Sequence, residues 1–326
     1  MESIFGITTG DSSGVGSEIL LKAWRNREIK HPIVAYGDLA VLEFYNDRFG
    51  DDVPLVKISS PADYHPGPLN VIDAGIMGRE HLTIGKINSR SGHAAREYVI
   101  AATRAAIAGE IAAMVTLPMN KEATQLSDAS FVGHTELIGG LCGVKDVTIM
   151  LVSNQLIVTH VSTHVSLATA IERVKKERIC TIMGYTCDAL RRLRTNPRIA
   201  VAGLNPHAGE NGLFGDQEAR EIRPAVEWAQ SRGMPIEGPF PPDTVFYMAV
   251  VKKRFDAVIC MYHDQGHIPL KLLDFEGGVN VALGLPITRT SVDHGTAFDI
   301  AGQGLASTVS LIHALELAAI LATPKS

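Results

Sequence analysis

Residues 91–116 read SGHAAREYVIAATRAAIAGEIAAMVT, and the spacing of their apolar positions changes once along the stretch. Ser91 is placed to cap a helix in which Ala95, Tyr98 with Val99, Ala102 and Ala106 recur on one side. Ala112-Ala113-Met114-Val115-Thr116 is instead a short unbroken apolar run, which suits a strand covered on both faces. Working outward, Ile4-Phe5-Gly6-Ile7-Thr8, Ile33-Val34-Ala35-Tyr36, Arg198-Ile199-Ala200-Val201-Ala202 and Ala257-Val258-Ile259-Cys260 repeat the strand pattern. Helical patterns near 18–27, 39–49, 171–194, 216–231 and 309–321 alternate with them. This alternation predicts an α/β fold with one largely parallel sheet or two, and ligands in such folds sit at the carboxyl ends of strands.

The chain has 326 residues, room for roughly two domains at about 150 residues each. Thirty Lys and Arg against 35 Asp and Glu give a net charge of −5, so there is no general basic footprint for nucleic acid or anionic lipid. Four cysteines without CxxC spacing point to a reducing compartment, the cytoplasm, and away from a thiolate zinc site. The N-terminus has no basic segment and no small-residue cleavage pattern, so a secretory signal is not expected. The longest stretch free of Asp, Glu, Lys and Arg, Val147 to Ile171, reads as two strands and a turn rather than a membrane span. Arg191-Arg192-Leu193-Arg194 reads as a solvated face at a helix end.

Three constellations could carry chemistry. After the first strand, Gly10-Asp11-Ser12-Ser13-Gly14-Val15-Gly16-Ser17-Glu18 leads into a helix whose free amides could meet an anion, with spacing that is neither a P-loop nor GxGxxG. Four polar segments carry histidines: Gly133-His134-Thr135-Glu136, His160 to His164, Asn205 to Glu210, and Tyr262 to His267. Two contain HxxxH, but neither has the Glu of HExxH, and the first lies in β-prone sequence where residues four apart stand about 13 Å from each other. A metalloprotease is therefore disfavoured, whereas one histidine from each of three loops could surround one divalent ion. The third constellation is Lys271, Asn280 and Arg289, spaced by nine and nine beside strand-like sequence; lysine and arginine could neutralise a phosphate or carboxylate, and Asn280 could orient it.

The segments GDSSGVGSE, GHTE, STHVSL, GLNPHAGE, YHDQGHIPLK, GVNVALGLP and RTSVDHGTAFDIAG, taken in order, resemble the signature of the 4-hydroxythreonine-4-phosphate dehydrogenase family of vitamin B6 biosynthesis, almost end to end. The resemblance implies metal ligation by His164, His207 and His263, and substrate binding by His134, Thr135, Lys271, Asn280 and Arg289. The first and last segments are also similar to the glycine-rich turn and adenosine-binding loop of isocitrate and isopropylmalate dehydrogenases, which implies cofactor binding at Gly10, Asp11, Gly14, Asp293, His294, Gly295, Thr296 and Asp299. The implied architecture is isopropylmalate dehydrogenase-like: two α/β/α lobes with mainly parallel sheets and an active site in the cleft between them. The expected lobes are 1–125 with 270–326 on the nucleotide side, and 126–269 on the metal and dimer side.

The chain departs from the family pattern in places. Ser12-Ser13 stand where the family usually has Pro-Ala, and Ser17 where it has Pro. His267 and Leu272-Leu273-Asp274-Phe275-Glu276 look more like the catabolic relatives, which act on threonate or erythronate 4-phosphate or on aromatic cis-dihydrodiols. The implied reaction is NAD- or NADP-linked oxidation of a 3-hydroxy acid to a 3-keto acid, followed by decarboxylation. It would be assisted by one divalent ion: zinc suits three imidazoles, while magnesium, manganese and cobalt remain compatible. Lys121, Asp243 and Asp264 are the candidate general bases. A metal-dependent hydrolase and a non-catalytic sugar-acid or phosphate binder are the rival classes; the first leaves the HGTAFDIAG loop without a job, and the second would fail to bind NAD. The resemblance further implies a homodimer with shared sites, His263 being supplied by the partner chain.

Overall fold

A computed structural model describes residues 3–275 and 277–322. In chain order the strands are β1 (Phe5–Thr8), β2 (Ile33–Gly37), β3 (Leu55–Ile58), β4 (Leu69–Asp73), β5 (Ala113–Thr116), β6 (Thr148–Val152), β7 (Ile157–His160), β8 (Ile199–Ala202), β9 (Ile236–Phe240), β10 (Ala257–Cys260), β11 (Val279–Leu283) and β12 (Arg289–Val292). The chain divides into two compact units, residues 3–146 with 285–322, and residues 147–284.

The first unit carries six strands in the order β3-β4-β2-β1-β5-β12, every pair parallel. β1, β5 and β12 are buried along their whole length, as expected of strands covered on both faces. The helix Ser89–Ile107 lies on this sheet and buries Ala95, Tyr98, Val99 and Ala102. Its cap is Asn88, not Ser91: the Asn88 side chain accepts from the amides of Arg90 and Ser91 at 2.9 and 3.3 Å. Ser91 falls inside the first turn because its hydroxyl is committed elsewhere, to Asp11.

The second unit has the order β11-β6-β7-β10-β8-β9, with β11, β6 and β7 antiparallel and the rest parallel. Val147–Ile171 does form two strands and a turn before the helix Leu167–Glu172. Leu151, Val158, Ala200, Val258 and Leu270 form the core under the strand ends that carry its histidines. The helix Lys176–Leu193 faces that sheet with Ile179, Ile182, Met183, Cys187 and Leu190, a run at three- and four-residue spacing. Among the described residues no helix is long and apolar enough to cross a membrane.

The unit boundaries fall at 146/147 and 284/285 rather than 125/126 and 269/270. Two local pairings account for this. The helix His134–Leu141 packs on Ser89–Ile107 and so stays with the first unit. β11 pairs with β6, Asn280 opposite Leu151, which carries Lys271 and Asn280 into the second unit. Glu276 lies outside the described residues.

Because the Asn88 cap fixes the turn that presents Ser91 to Asp11, Asn88→Ala should lower stability by about 1 kcal/mol. Urea unfolding should show this as a lower midpoint with unchanged slope.

Candidate active site

In the first unit the turn after β1 is fastened from several sides. Asp11 is fully buried; its Oδ1 accepts from the Ser13 amide at 2.9 Å and from the Ser91 hydroxyl. Burial raises its carboxyl above the ordinary range, against the lowering effect of these hydrogen bonds. Asp11 is thus an internal bracket for the turn. Gly10 has φ +71°, and a Cβ there would lie 2.3 Å from the Pro118 carbonyl oxygen. A Cβ on Gly14 would lie 2.8 Å from the Thr296 carbonyl oxygen, which accepts from Val15 N at 3.1 Å. Both glycines are therefore required by close backbone approach.

The segment after β12 is tied to the helix Gly16–Arg25, which follows the β1 turn. Buried Glu18 accepts from the amides of Gly302 and Ala306 at 3.1 Å each, and Lys22 Nζ donates to the carbonyls of Gly304 and Ala306 at 3.3 and 2.8 Å. Within this clamped segment His294 Nδ1 lies 2.9 Å from the Gly295 carbonyl, and Gly295 and Asp299 are exposed. Asp11 Oδ2 and the Ser13 and Ser17 hydroxyls are buried without protein partners. Serine hydroxyls left unpaired at a helix N-terminus are the features of this turn that suit the phosphate and sugar hydroxyls of a dinucleotide.

The same unit holds a buried cation. Arg289, at the start of β12, is 3% exposed and donates from Nη2 to Thr116 Oγ1 at 2.6 Å, while its Nε has no partner. Burial brings its pKa down to about 10. His134, first residue of its helix, keeps part of its surface in solvent but has Nε2 sealed off without a partner. Desolvation, reinforced by Arg289, lowers its pKa to about 3. The result is one fixed positive charge beside a neutral imidazole, an arrangement suited to a phosphate or carboxylate oxygen.

In the second unit the helix His263–Leu273 begins at the end of β10 and puts His263 and His267 on one face, their rings stacked 3.6 Å apart. His267 Nδ1 lies 3.0 Å from the His263 carbonyl and 3.2 Å from Nε2 of His160. A carbonyl can only accept, so His267 carries its proton on Nδ1; His160 Nε2 accepts, and His160 Nδ1 donates to the Ile149 carbonyl, 3.4 Å away. His160 is fully buried, and desolvation lowers its pKa to about 3. Gly266 makes this possible, since a Cβ there would stand 2.5 Å from His160 Nε2.

His263 Nδ1 lies 2.6 Å from Asp264 Oδ1, which leaves Nε2 as its electron-pair donor, as carboxylates that hold the far nitrogen of metal-binding histidines do. The ring of His164 is 5.5 Å from that of His263. His207 lies on a different loop, Pro206–Gly212, whose residues 207–211 all have positive φ. Among the described residues no group of three or more His, Cys, Asp or Glu side chains is gathered as a metal site. As a donor set the three imidazoles suit a divalent ion of intermediate softness.

Comparison with known proteins follows this geometry. The profile of the family described as pyridoxal phosphate biosynthetic protein PdxA matches residues 28–318. The chain belongs to the PdxA family. The D-threonate 4-phosphate dehydrogenase of Salmonella typhimurium is 44% identical, covering 97% of this chain and 98% of its own. That of Cupriavidus necator is 43% identical, covering 99% and 98%. The crystal structure of 4-hydroxythreonine-4-phosphate dehydrogenase from Klebsiella pneumoniae superposes with a TM-score of 0.88 at 41% identity, over 98% of this chain and 100% of that one. Isocitrate dehydrogenase from Methylococcus capsulatus, at 14% identity and a TM-score of 0.50, shares the fold alone. This PdxA family member is an oxidoreductase acting on CH–OH groups, with a nicotinamide cofactor.

The remaining expected residues are dispersed. Lys121 is exposed at the start of the helix Lys121–Gln125, and Asp243 is exposed before Val245–Val250. Lys271 Nζ lies 5.5 Å from the Phe275 ring centre, and Asn280 Oδ1 is buried without a partner. Thr135 is half-buried beside His134, and Asp293 follows β12. Sequence reasoning gave no role to Thr116, Glu18 or Glu218, nor did it pair His160 with His267; the four-residue spacing of His263 and His267 on a helix was the one signal for that pair.

The His134 shift has a definite pH consequence. Its folded pKa of about 3 lies below the unfolded value of about 6.5, so the unfolded chain binds the extra proton between these limits. Stability should fall as pH drops through this window, at most about 1.4 kcal/mol per pH unit from this group. His134→Gln should show a shallower acid dependence in urea unfolding, and nitrogen NMR should find His134 neutral at pH 5.

Proposed function

We propose that this enzyme oxidises a 4-phosphorylated 3-hydroxy acid, D-threonate 4-phosphate before 4-hydroxythreonine 4-phosphate, with NAD or NADP. The observation that carries the reading is the buried Arg289 beside the neutral His134. A buried guanidinium with one side-chain hydrogen bond suits a dianionic phosphate or a carboxylate. The full-length likeness to D-threonate 4-phosphate dehydrogenases supplies the choice of acid.

The reaction breaks the C3–H and O–H bonds, the hydride passing to the nicotinamide and the proton to a base. The resulting 3-keto acid then loses carbon dioxide by cleavage of C1–C2, and C2 takes up a proton to leave a three-carbon ketone phosphate. When bound, the dinucleotide supplies the hydride acceptor, and a divalent ion held by His164, His207 and His263 lowers the pKa of the substrate hydroxyl. The chain's own residues do the rest. Arg289, His134 and Thr135, in the first unit, would bind the anionic end; the family motif also matches Lys271 and Asn280, in the second unit, as a cation and an amide acceptor. Asp264 fixes His263 through Nδ1, which leaves Lys121 and Asp243 as the candidates for moving the proton. Four free cysteines agree with a cytoplasmic place of work.

The same reading makes the enzyme a homodimer with shared sites. Support comes from the helix that carries His263: Ile268 and Leu272, four apart on its other face, are 65% and 85% exposed, and Phe275 just beyond its end is 74% exposed. An apolar stripe of this kind next to a polar site suits burial against a second copy.

With NADH formation as the readout, D-threonate 4-phosphate should be turned over with higher kcat/KM than 4-hydroxythreonine 4-phosphate or a cis-dihydrodiol carboxylate. Arg289→Ala should lower kcat/KM for the phosphorylated acid by about two orders of magnitude and leave the KM for the dinucleotide within about threefold. Equal losses for both ligands would remove Arg289 from substrate binding.

His164→Ala, His207→Ala and His263→Ala should each lose bound metal and activity. Mixed in pairs after subunit exchange, at least one pair should recover about a quarter of wild-type activity, because half the dimers are then mixed and each has one intact site. Recovery with His164→Ala and His263→Ala places His263 across the interface. Absence of recovery in every pair would sink the shared site.

A further inference from the structure

We infer that Glu218 is the positioning residue that holds His207 in place for the metal, a role that rests on the metal reading of His207 above. The loop bearing His207 has an improbable backbone. His207, Ala208, Gly209, Glu210 and Asn211 have φ of 53°, 53°, 80°, 39° and 55°, one left-handed turn in which four of the five residues carry a side chain. L-residues avoid this conformation, and a run of them persists only where the surroundings over-determine it. His207 itself is largely exposed, so packing of its ring does not hold the turn.

The hold comes from Glu218, eleven residues on and 3% exposed. Its Oε1 accepts from the backbone amides of Leu204 and Asn205, both at 2.7 Å, the two residues through which β8 passes into the turn. Its Oε2 accepts from Asn205 Nδ2 at 2.9 Å, and Gln217 Oε1 accepts from the same amide group at 2.7 Å. The far side of the turn closes on the same carboxylate: a Cβ on Gly209 would stand 2.8 Å from Glu218 Oε2 and 3.0 Å from the Gly215 carbonyl oxygen. One buried carboxylate therefore grips the entry to the turn with three hydrogen bonds and sets its closest approach at Gly209. Glu218 opens a five-residue π-turn, Glu218–Ile222, a local widening that recurs at functional sites. A charged acceptor suits this task because each of its hydrogen bonds is charge-assisted. Glutamine at the same place would turn an N–H₂ toward donors that need an acceptor.

The test uses the full-length enzyme stripped of metal and titrated with Zn²⁺ against a chromophoric chelator, alongside amide hydrogen exchange. Glu218→Gln should weaken Zn²⁺ binding about 10- to 100-fold and speed exchange in residues 203–213 by tenfold or more, with the rest of the second unit unchanged. Saturating Zn²⁺ should restore most of kcat without moving the KM for the dinucleotide, a split that general destabilisation does not produce. Should Glu218→Gln fail to fold, Gly209→Ala strains the same grip from the other side and should show the same two effects. Wild-type Zn²⁺ affinity in Glu218→Gln, with reduced affinity in His207→Ala, overturns the role of Glu218 and leaves the metal reading standing. Wild-type affinity in both variants overturns the metal reading and this role with it.

Discussion

A guanidinium buried at the start of β12, the last strand of its unit's sheet, is the constraint on which the first unit is organised. Arg289 enters β12 opposite Met114 with 3% of its surface exposed and one side-chain hydrogen bond, to Thr116, the last residue of the neighbouring β5. Taking a charge out of water costs several kcal/mol unless partners replace the lost hydration. Here Glu136 acts on the charge only through space, so most of the lost hydration is not replaced by a protein acceptor. The same field explains the charge state of His134. A second cation beside Arg289 would add repulsion, and desolvation with Arg289 drives the imidazole neutral. The pair thus holds one positive charge, on Arg289, beside a neutral polar ring able to accept or donate as the ligand requires.

The turn after β1 follows a related logic with backbone instead of charge. Asp11, Ser91 and the Pro118 carbonyl fix its beginning, while Glu18 and Lys22 fasten the residues after β12 to the helix that it starts. The two motifs that resemble a nucleotide site lie near opposite ends of the chain, yet in the first unit they meet where the Val15 amide donates to the Thr296 carbonyl. Gly14 is needed because a methyl group would intrude on Thr296. The serines at 13 and 17 remain buried without partners, where the family pattern carries Ala and Pro. An unsatisfied hydroxyl costs about 1–3 kcal/mol, so these positions carry a cost that a packing role does not explain.

How much of this was legible in the sequence depended on whether the signal was local. Short apolar runs named β1, β2, β5, β8 and β10 to within a residue, because buried parallel strands are apolar throughout. The helix caps and the unit boundaries were less legible. Ser91 and Asn88 are both good capping residues three apart, and only the burial of Asp11 decides which of them turns inward. The boundary at 284/285 depends on β11 pairing with β6, more than a hundred residues earlier, and no spacing rule encodes that register. Individual site residues could be matched to motifs, but their partners could not. Nothing in the segment from 203 to 222 says that Glu218, rather than Glu210 or Glu221, is the buried acid.

That last difficulty has a physical root. Metal and substrate ligands are polar and easily recognised by type, whereas the groups that aim them work largely through backbone amides, which any residue presents. Glu218 binds the amides of Leu204 and Asn205, and Glu18 those of Gly302 and Ala306, so neither contact leaves a mark on the side chains of its partners. Both carboxylates sit in the first turn of a helical segment and reach back to a loop that carries candidate ligands. A buried carboxylate is costly unless its lone pairs are filled; Glu18 is filled by two main-chain amides, and Glu218 by two main-chain amides and the Asn205 side chain. The loops gain a fixed shape from groups that never touch the substrate. Left-handed backbone at His207–Asn211 can then be tolerated, at about 1–2 kcal/mol for each residue bearing a Cβ, because its entry is pinned before the strained residues begin.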